Sequence, residues 1–116
     1  MRKLTVTYND SDVVVVPFPF TDKSSSKRRP ALIISVKKFQ DQENHYVLAM
    51  ITSAENDGWF LDTEIENLDA AGLPNPSKVR MKLFTLDGNL IIKKIGTLSL
   101  KDKKRIKLSL KSLLAL

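Results

Sequence analysis

Two arginines, Arg28 and Arg29, stand directly before Pro30 at the head of an apolar run, and a second apolar run, His45 to Ser53, ends in the hydroxyl pair Thr52–Ser53. A guanidinium is a planar fork that meets a phosphate with two N–H groups at once. It can therefore stabilise the extra negative charge of a phosphorus centre that becomes five-coordinate. It is a poor general base, because it keeps its proton to above about pH 12. A threonine hydroxyl can donate to a phosphate oxygen, and Thr52 would lie near Arg29 if the two runs pair as neighbouring strands, as consecutive strands commonly do. Each residue also has a plain structural use. A strand-opening arginine can pair with an acid, and Thr52 and Ser53 can finish a strand end through local hydrogen bonds. Arg28, one position back, points to the other side if strand pairing already includes it.

The remaining candidates are weaker. His45 is the one histidine, but seven residues, roughly 23 Å of extended chain, separate it from Thr52, so it reads as structural. Trp59–Phe60, beside Gly58, could stack on nucleobases as single-strand binders do, or could plug a core edge. In "AGLPNPSKV" a tight turn accounts for the glycine and prolines, and Ser77 alone offers a hydroxyl to a substrate. The chain has no cysteine, which excludes disulfides, thiolate metal sites and cysteine nucleophiles. A single histidine excludes a His-rich metal cage within one chain. No P-loop, dinucleotide-binding glycine pattern or metal motif occurs, so no cofactor is expected.

The net charge of +6 is unevenly spread. Residues 1–38 carry eight basic groups against three acids, residues 39–77 carry eight acids and no lysine or arginine, and residues 93–116 carry eight basic groups and one acid. Such separation suits a basic surface that meets a polyanion, and a solvated C-terminal helix face would give the last block equally well. No segment approaches the roughly 20 apolar residues of a membrane span, and the N-terminus lacks a signal-peptide core, which reads as a soluble, cytoplasmic protein without a membrane role.

The elements that must position these residues are mostly strands. At 116 residues one domain, 1–116, is expected. "DVVVVPFPF" (Asp12 to Phe20) opens with four β-branched valines and suits a strand buried on both faces, ended by Pro17 and Pro19. "TDKSSSK" reads as a mobile loop. Further strands are expected at Arg29–Val36, at His45–Ser53, near Leu61–Ile65, from Lys78 to Leu83 and in "NLIIKKIGTL". Ser99, with Asp102 three residues on, fits a capping-box-like start to a C-terminal helix, on which Ile106, Leu110, Leu113 and Leu114 share one face. The expected class is mainly β: a small, curved antiparallel sheet or barrel with one closing helix.

Taken in order, "DVVVVPFPF", "KRRPALIIS", "ITS", "AGLPNPSKV", "LFTLD" and "IGTLS" resemble the MazF/PemK toxins of type II toxin–antitoxin systems, with the PFPFTD and LFTLD blocks closer to the PemK-like branch. The resemblance spans about residues 11–114. It implies an SH3-like β-barrel with a C-terminal α-helix and short helical turns, assembled as a homodimer. It implies metal-independent, sequence-selective cleavage of single-stranded RNA, in which a 2′-hydroxyl attacks its own 3′ phosphate and leaves 2′,3′-cyclic phosphate and 5′-hydroxyl ends. Arg29 and Thr52 match the catalytic pair, and Ser77 matches the serine of the "PS" block, a substrate contact. Lys23, Lys27, Arg28 and Ser53 are the further RNA-binding candidates, with Lys23 to Arg28 forming a flexible basic flap over the groove. The implied protein partner is a cognate antitoxin whose extended segment fills that groove.

A nucleophile supplied by the substrate fits the inventory, since the protein then has only to orient a phosphate and neutralise charge. Two features depart from the family pattern: Ser11 stands where a glycine usually precedes the first-strand aspartate, and the first loop is a serine run. The alternatives are a gyrase-inhibiting toxin of the same barrel, acting by protein contact without cutting RNA, and a non-catalytic RNA-binding module. Retention of Arg29 and Thr52 favours the enzyme.

Overall fold

The computed structural model describes residues 7–17 and 27–116. Lys23, the serine run and Phe18–Phe20 lie outside the described residues, as does the reading of a flap there. Six strands form one antiparallel sheet: β1 (Asp12–Pro17), β2 (Arg28–Ile33), β3 (His45–Ser53), β4 (Thr63–Glu64), β5 (Ser77–Asp87) and β6 (Lys93–Thr97), in the order β4-β5-β3-β2-β1-β6. Three helices accompany them, α1 (Lys37–Glu43), α2 (Leu68–Ala71) and α3 (Leu100–Leu114). This is the mainly β half-barrel with a C-terminal helix that the sequence implies.

The run of valines is explained by burial on both faces. Val14 and Val16 join Ala31, Ile33, Leu48 and Phe84 in one apolar cluster. Val13, shifted to the other face, joins Leu32, Ala49, Ile51 and Val79 in a second, closed by Ile106 of α3. Only a continuous apolar sequence can serve both sides of a strand, because successive side chains alternate. A bulge in β5 places Met81 and Lys82 between the rungs Met50↔Arg80 and Ala49↔Leu83, and a bulge also interrupts β1 against β6. Extra residues of this kind bend and twist a strand. β5 thus follows β3 along its whole length while the sheet curls.

Closure depends on two glycines. α2 is capped by Asn67, whose Oδ1 accepts from Ala70 N at 3.0 Å, and ends at Gly72 in the left-handed region (φ 73°). Its C-terminal backbone lies directly on β6 at the far edge of the sheet. A Cβ at Gly96 would fall within the backbone of Ala70 and Ala71, and a Cβ at Gly72 would overlap the carbonyl of Ile95. The β4 end of the sheet is joined to β6 through this backbone-on-backbone seam.

Several expectations are corrected. β2 ends at Ile33 rather than Val36, and the chain then turns into α1, which was not foreseen. Seven mostly polar residues give α1 no apolar periodicity. It is held by the Lys37–Asp41 pair at 3.0 Å, by buried Gln40 and by Asn44, left-handed at its end. β4 is cut to two residues because Leu61 takes a positive φ of 71° in a turn. β5 runs well past Leu83, and the last strand starts only at Lys93, after a 3₁₀ turn at Gly88–Leu90 that Asp87 caps. In α3, Ser99 caps Asp102 N at 3.2 Å as expected. The Asp102 carboxylate does not reach back to Ser99. It accepts from the N–H groups of Glu66 at 3.1 Å and Asn67 at 2.9 Å, tying α3 to the start of α2. Ile106 is buried and Leu110 packs against the same cluster, but Leu113 and Leu114, in the last turn of α3, are exposed and take no part in it.

The seam gives a test. Gly96→Ala should destabilise the protein by about 2 kcal/mol or more, since neither contacting group is a movable side chain. Urea unfolding measures it, and a change below about 0.5 kcal/mol would show that the seam has slack.

Candidate active site

β2 and β3 pair in the register Ala31↔Met50, Leu32↔Ala49, Ile33↔Leu48. Continued outward by two residues, that register sets Arg29 opposite Thr52. On the other side of β3, Thr52 faces Lys78 and Ser53 faces Ser77. The ends of three strands therefore converge, and a cleft of about 420 Å³ opens there. Arg29, Thr52, Ser53 and Ser77 all line it, together with Glu55 and the loop Leu73–Pro76. That loop follows directly from Gly72, so the closure seam also sets one wall of the cleft.

The lining residues differ in what they offer. Arg29 is half-buried. Thr52 lines the cleft although it is only 6% exposed, and its hydroxyl accepts from Asn56 Nδ2 at 2.6 Å. Ser77 donates its hydroxyl proton to the Asn75 carbonyl at 2.8 Å, which leaves its oxygen as an acceptor only. Ser53 is exposed and accepts from Glu55 N at 3.3 Å. Lys27 and Arg28 are exposed at the entry to β2 and lie outside the lining of the cleft. His45 sits at the opposite end of β3, its Nδ1 2.8 Å from the Glu43 carbonyl oxygen, away from the cleft. Phe60 is 83% exposed and plugs nothing. Trp59 lies 5.0 Å from the Arg80 guanidinium and 5.6 Å from Lys82 Nζ, measured to the ring centroid. Among the described residues no group of three or more potential metal ligands occurs.

Beside the cleft stands a charge cluster that sequence reasoning missed. Asp62 accepts from Arg80 Nε at 3.1 Å and from Arg80 Nη2 at 2.9 Å, and it pairs with Lys78 Nζ at 3.3 Å. All three side chains are nearly buried. Arg80 also donates to the Asp57 carbonyl, and Lys78 donates to the Asn56 carbonyl at 2.6 Å. The loop between β3 and β4 is thus strapped down by two cations from β5. Burial pushes the Asp62 carboxyl up, but hydrogen bonds from Arg80, the Trp59 N–H and Lys78 outweigh it and hold the group below the ordinary carboxylate range. The signal in the sequence was the alternation Lys78-x-Arg80, which puts two cations on one face of a strand whose neighbours are apolar.

The fold has solved counterparts. MazF from Deinococcus radiodurans superposes with a TM-score of 0.75 at 17% identity, covering 97% of this chain and 100% of that one. An endoribonuclease in complex with its cognate antitoxin, from a mycobacterial species, gives 0.73 at 15% identity over 94% of each chain. The Mycobacterium tuberculosis toxin MazF-mt6 gives 0.71 at 18%, covering 90% of this chain and 97% of that one. These likenesses define a class by its fold. The family follows from the sequence: the model of the PemK-like, MazF-like toxin of type II toxin–antitoxin systems matches residues 9–114. The chain belongs to that family. No curated protein matches it.

Asp62 carries a pH dependence with a fixed sign. Its folded pKa lies below the unfolded value of about 3.9, so its contribution is fully present above that value and is lost as pH falls through the folded pKa. Asp62→Asn should cost about 3 kcal/mol at pH 7, because two nearly buried cations lose their counter-charge. It should also reduce the acid slope of stability without abolishing it, since Asp102, likewise lowered, keeps its own share. Denaturant unfolding from pH 3 to 7 checks both. An unchanged acid slope would remove Asp62 from the account.

Proposed function

We propose that this toxin is a metal-independent endoribonuclease that cleaves single-stranded RNA. The observation that carries the reading is the convergence of a guanidinium, Arg29, and a nearly buried hydroxyl, Thr52, on one open cleft. In this reaction the 2′-oxygen of the RNA, losing its proton, forms a bond to the adjacent phosphorus. The bond from phosphorus to the 5′-oxygen breaks, and the 5′-oxygen leaves with a proton. The products are a 2′,3′-cyclic phosphate and a 5′-hydroxyl. The nucleophile comes with the substrate, so the protein has to hold the phosphate in line and stabilise charge at its equatorial oxygens. Arg29 supplies the charge and Thr52 one hydroxyl donor. Ser77 and Ser53 contact the RNA at the rim, where Ser77 acts as an acceptor. Lys27 and Arg28, exposed beside the cleft, attract the flanking phosphates.

The antitoxin of the pair is the second partner. One solved structure of similar fold is an endoribonuclease in complex with its cognate antitoxin, and an extended acidic segment would suit the same cleft. The homodimer is proposed too, supported by the exposed leucines Leu108, Leu113 and Leu114 along α3. Light scattering should return twice the 13.1 kDa chain mass, and a stable monomer at micromolar concentration would remove the dimer.

The activity test uses purified protein, a long single-stranded RNA and EDTA. Wild type should cut at discrete sites and leave 5′-hydroxyl ends. Thr52→Ser should retain most of the rate, while Arg29→Ala and Thr52→Ala should each lose about a hundredfold. Intact RNA across varied sequences would overturn the reading.

A further inference from the structure

Thr52 Oγ1 is not left to choose its own hydrogen-bond geometry. The amide of Asn56 donates to it at 2.6 Å, which occupies an acceptor lone pair and obliges the hydroxyl proton to point elsewhere. Asn56 is itself an exposed residue, yet its backbone is fixed on both sides. Its N–H donates to the Ser53 carbonyl at 3.1 Å, and its carbonyl accepts from Lys78 Nζ at 2.6 Å. Lys78 in turn is held by Asp62 at 3.3 Å, which also accepts from Nε and Nη2 of Arg80. A surface asparagine with no such anchors would sample several rotamers, and this one is carried on a clamped backbone.

We propose that Asn56 is a positioning residue for Thr52: its amide sets the Thr52 hydroxyl as a donor aimed into the cleft, and the Asp62–Lys78–Arg80 cluster holds Asn56 in place. This rests on the reading of Thr52 as a donor to the RNA phosphate. The logic is one of pre-organisation. A donor already oriented toward the place where charge develops need not be turned at the moment of reaction. The oriented donor matters most in the transition state, where the phosphate oxygens carry most charge, so the effect belongs in kcat and not in RNA binding. The direction of the bond matters as well. A carboxylate at position 56 has no N–H to give and would accept the Thr52 proton, turning the hydroxyl away from the phosphate.

The test is single-turnover and steady-state cleavage of one RNA by wild type, Thr52→Ala, Asn56→Ala, Asn56→Asp and the double variant Thr52→Ala/Asn56→Ala, with thermal unfolding of each. Asn56→Ala should lower kcat about tenfold and leave KM within about twofold, with a melting temperature close to wild type. Asn56→Asp, nearly isosteric and a second route to the same answer should the alanine variant unfold, should fall below Asn56→Ala at neutral pH. The double variant should be no slower than Thr52→Ala, because a residue acting through Thr52 has nothing left to position. If Asn56→Ala cleaves like wild type while Thr52→Ala is impaired, the positioning role falls and the ribonuclease stands. A loss that appears in KM, or that adds in full to that of Thr52→Ala, also overturns it. If wild type leaves RNA intact, the ribonuclease reading fails and takes this inference with it.

Discussion

The architecture depends on a contact between two stretches of backbone. α2 leaves the β4 end of the sheet and lies on β6, the strand at the other edge, at a separation that only Gly72 and Gly96 allow. A sheet curled by bulges could remain open, and the seam is what joins its ends. It also fixes where the chain goes next. Gly72 turns the chain through a positive φ, and the following loop, Leu73 to Pro76, lines the cleft together with Arg29 and Thr52. Asp102 reinforces the same arrangement from outside, since its carboxylate caps the N–H groups at the start of α2 from within α3. A packing requirement at the C-terminal end of α2 thus becomes a geometric requirement of the cleft wall that follows it.

The second constraint is electrostatic. Residues 39–77 carry all of the chain's concentrated negative charge, and Asp62 is the member of that block that is drawn inward. Three nearly buried charges, one acid and two bases, would be costly in isolation. Here Lys78 and Arg80 also donate to the carbonyls of Asn56 and Asp57, so the cluster gains partners from the loop it restrains. The Trp59 ring stacks against Arg80, its centroid 5.0 Å from the guanidinium carbon. The loop after Thr52 consequently behaves as an extension of the sheet, and a hydroxyl at the end of β3 gains a defined orientation.

Much of this was legible in the residues. Four consecutive valines required a strand buried on both faces, and the clusters around Val13 and Val14 are that requirement met. His45–Ser53 reads as a strand and is one, to the residue. Ser99 begins a helix because its side chain satisfies an otherwise orphaned N–H. Other elements left weaker traces. α1 has too few apolar positions to show a helical period, and it exists because a lysine–aspartate pair, a buried glutamine and a left-handed asparagine each add a little. β4 was overestimated because its apolar flanks, Leu61 and Ile65, are core residues reached by turns.

The sequence by itself determined the alternation of strands, the closing helix, the segregation of charge and the presence of an arginine and a threonine at strand ends, since these depend on local propensity and on neighbours a few residues apart. The tertiary structure decided which of the charged residues meet. Asp62 and Arg80, and Lys78 and the Asn56 carbonyl, are joined by hydrogen bonds between residues some twenty positions apart, whose geometry depends on register and on a two-residue bulge. Register carries no mark in the chain beyond its period of two, and the close approach of two glycines is visible only once their partners are in place.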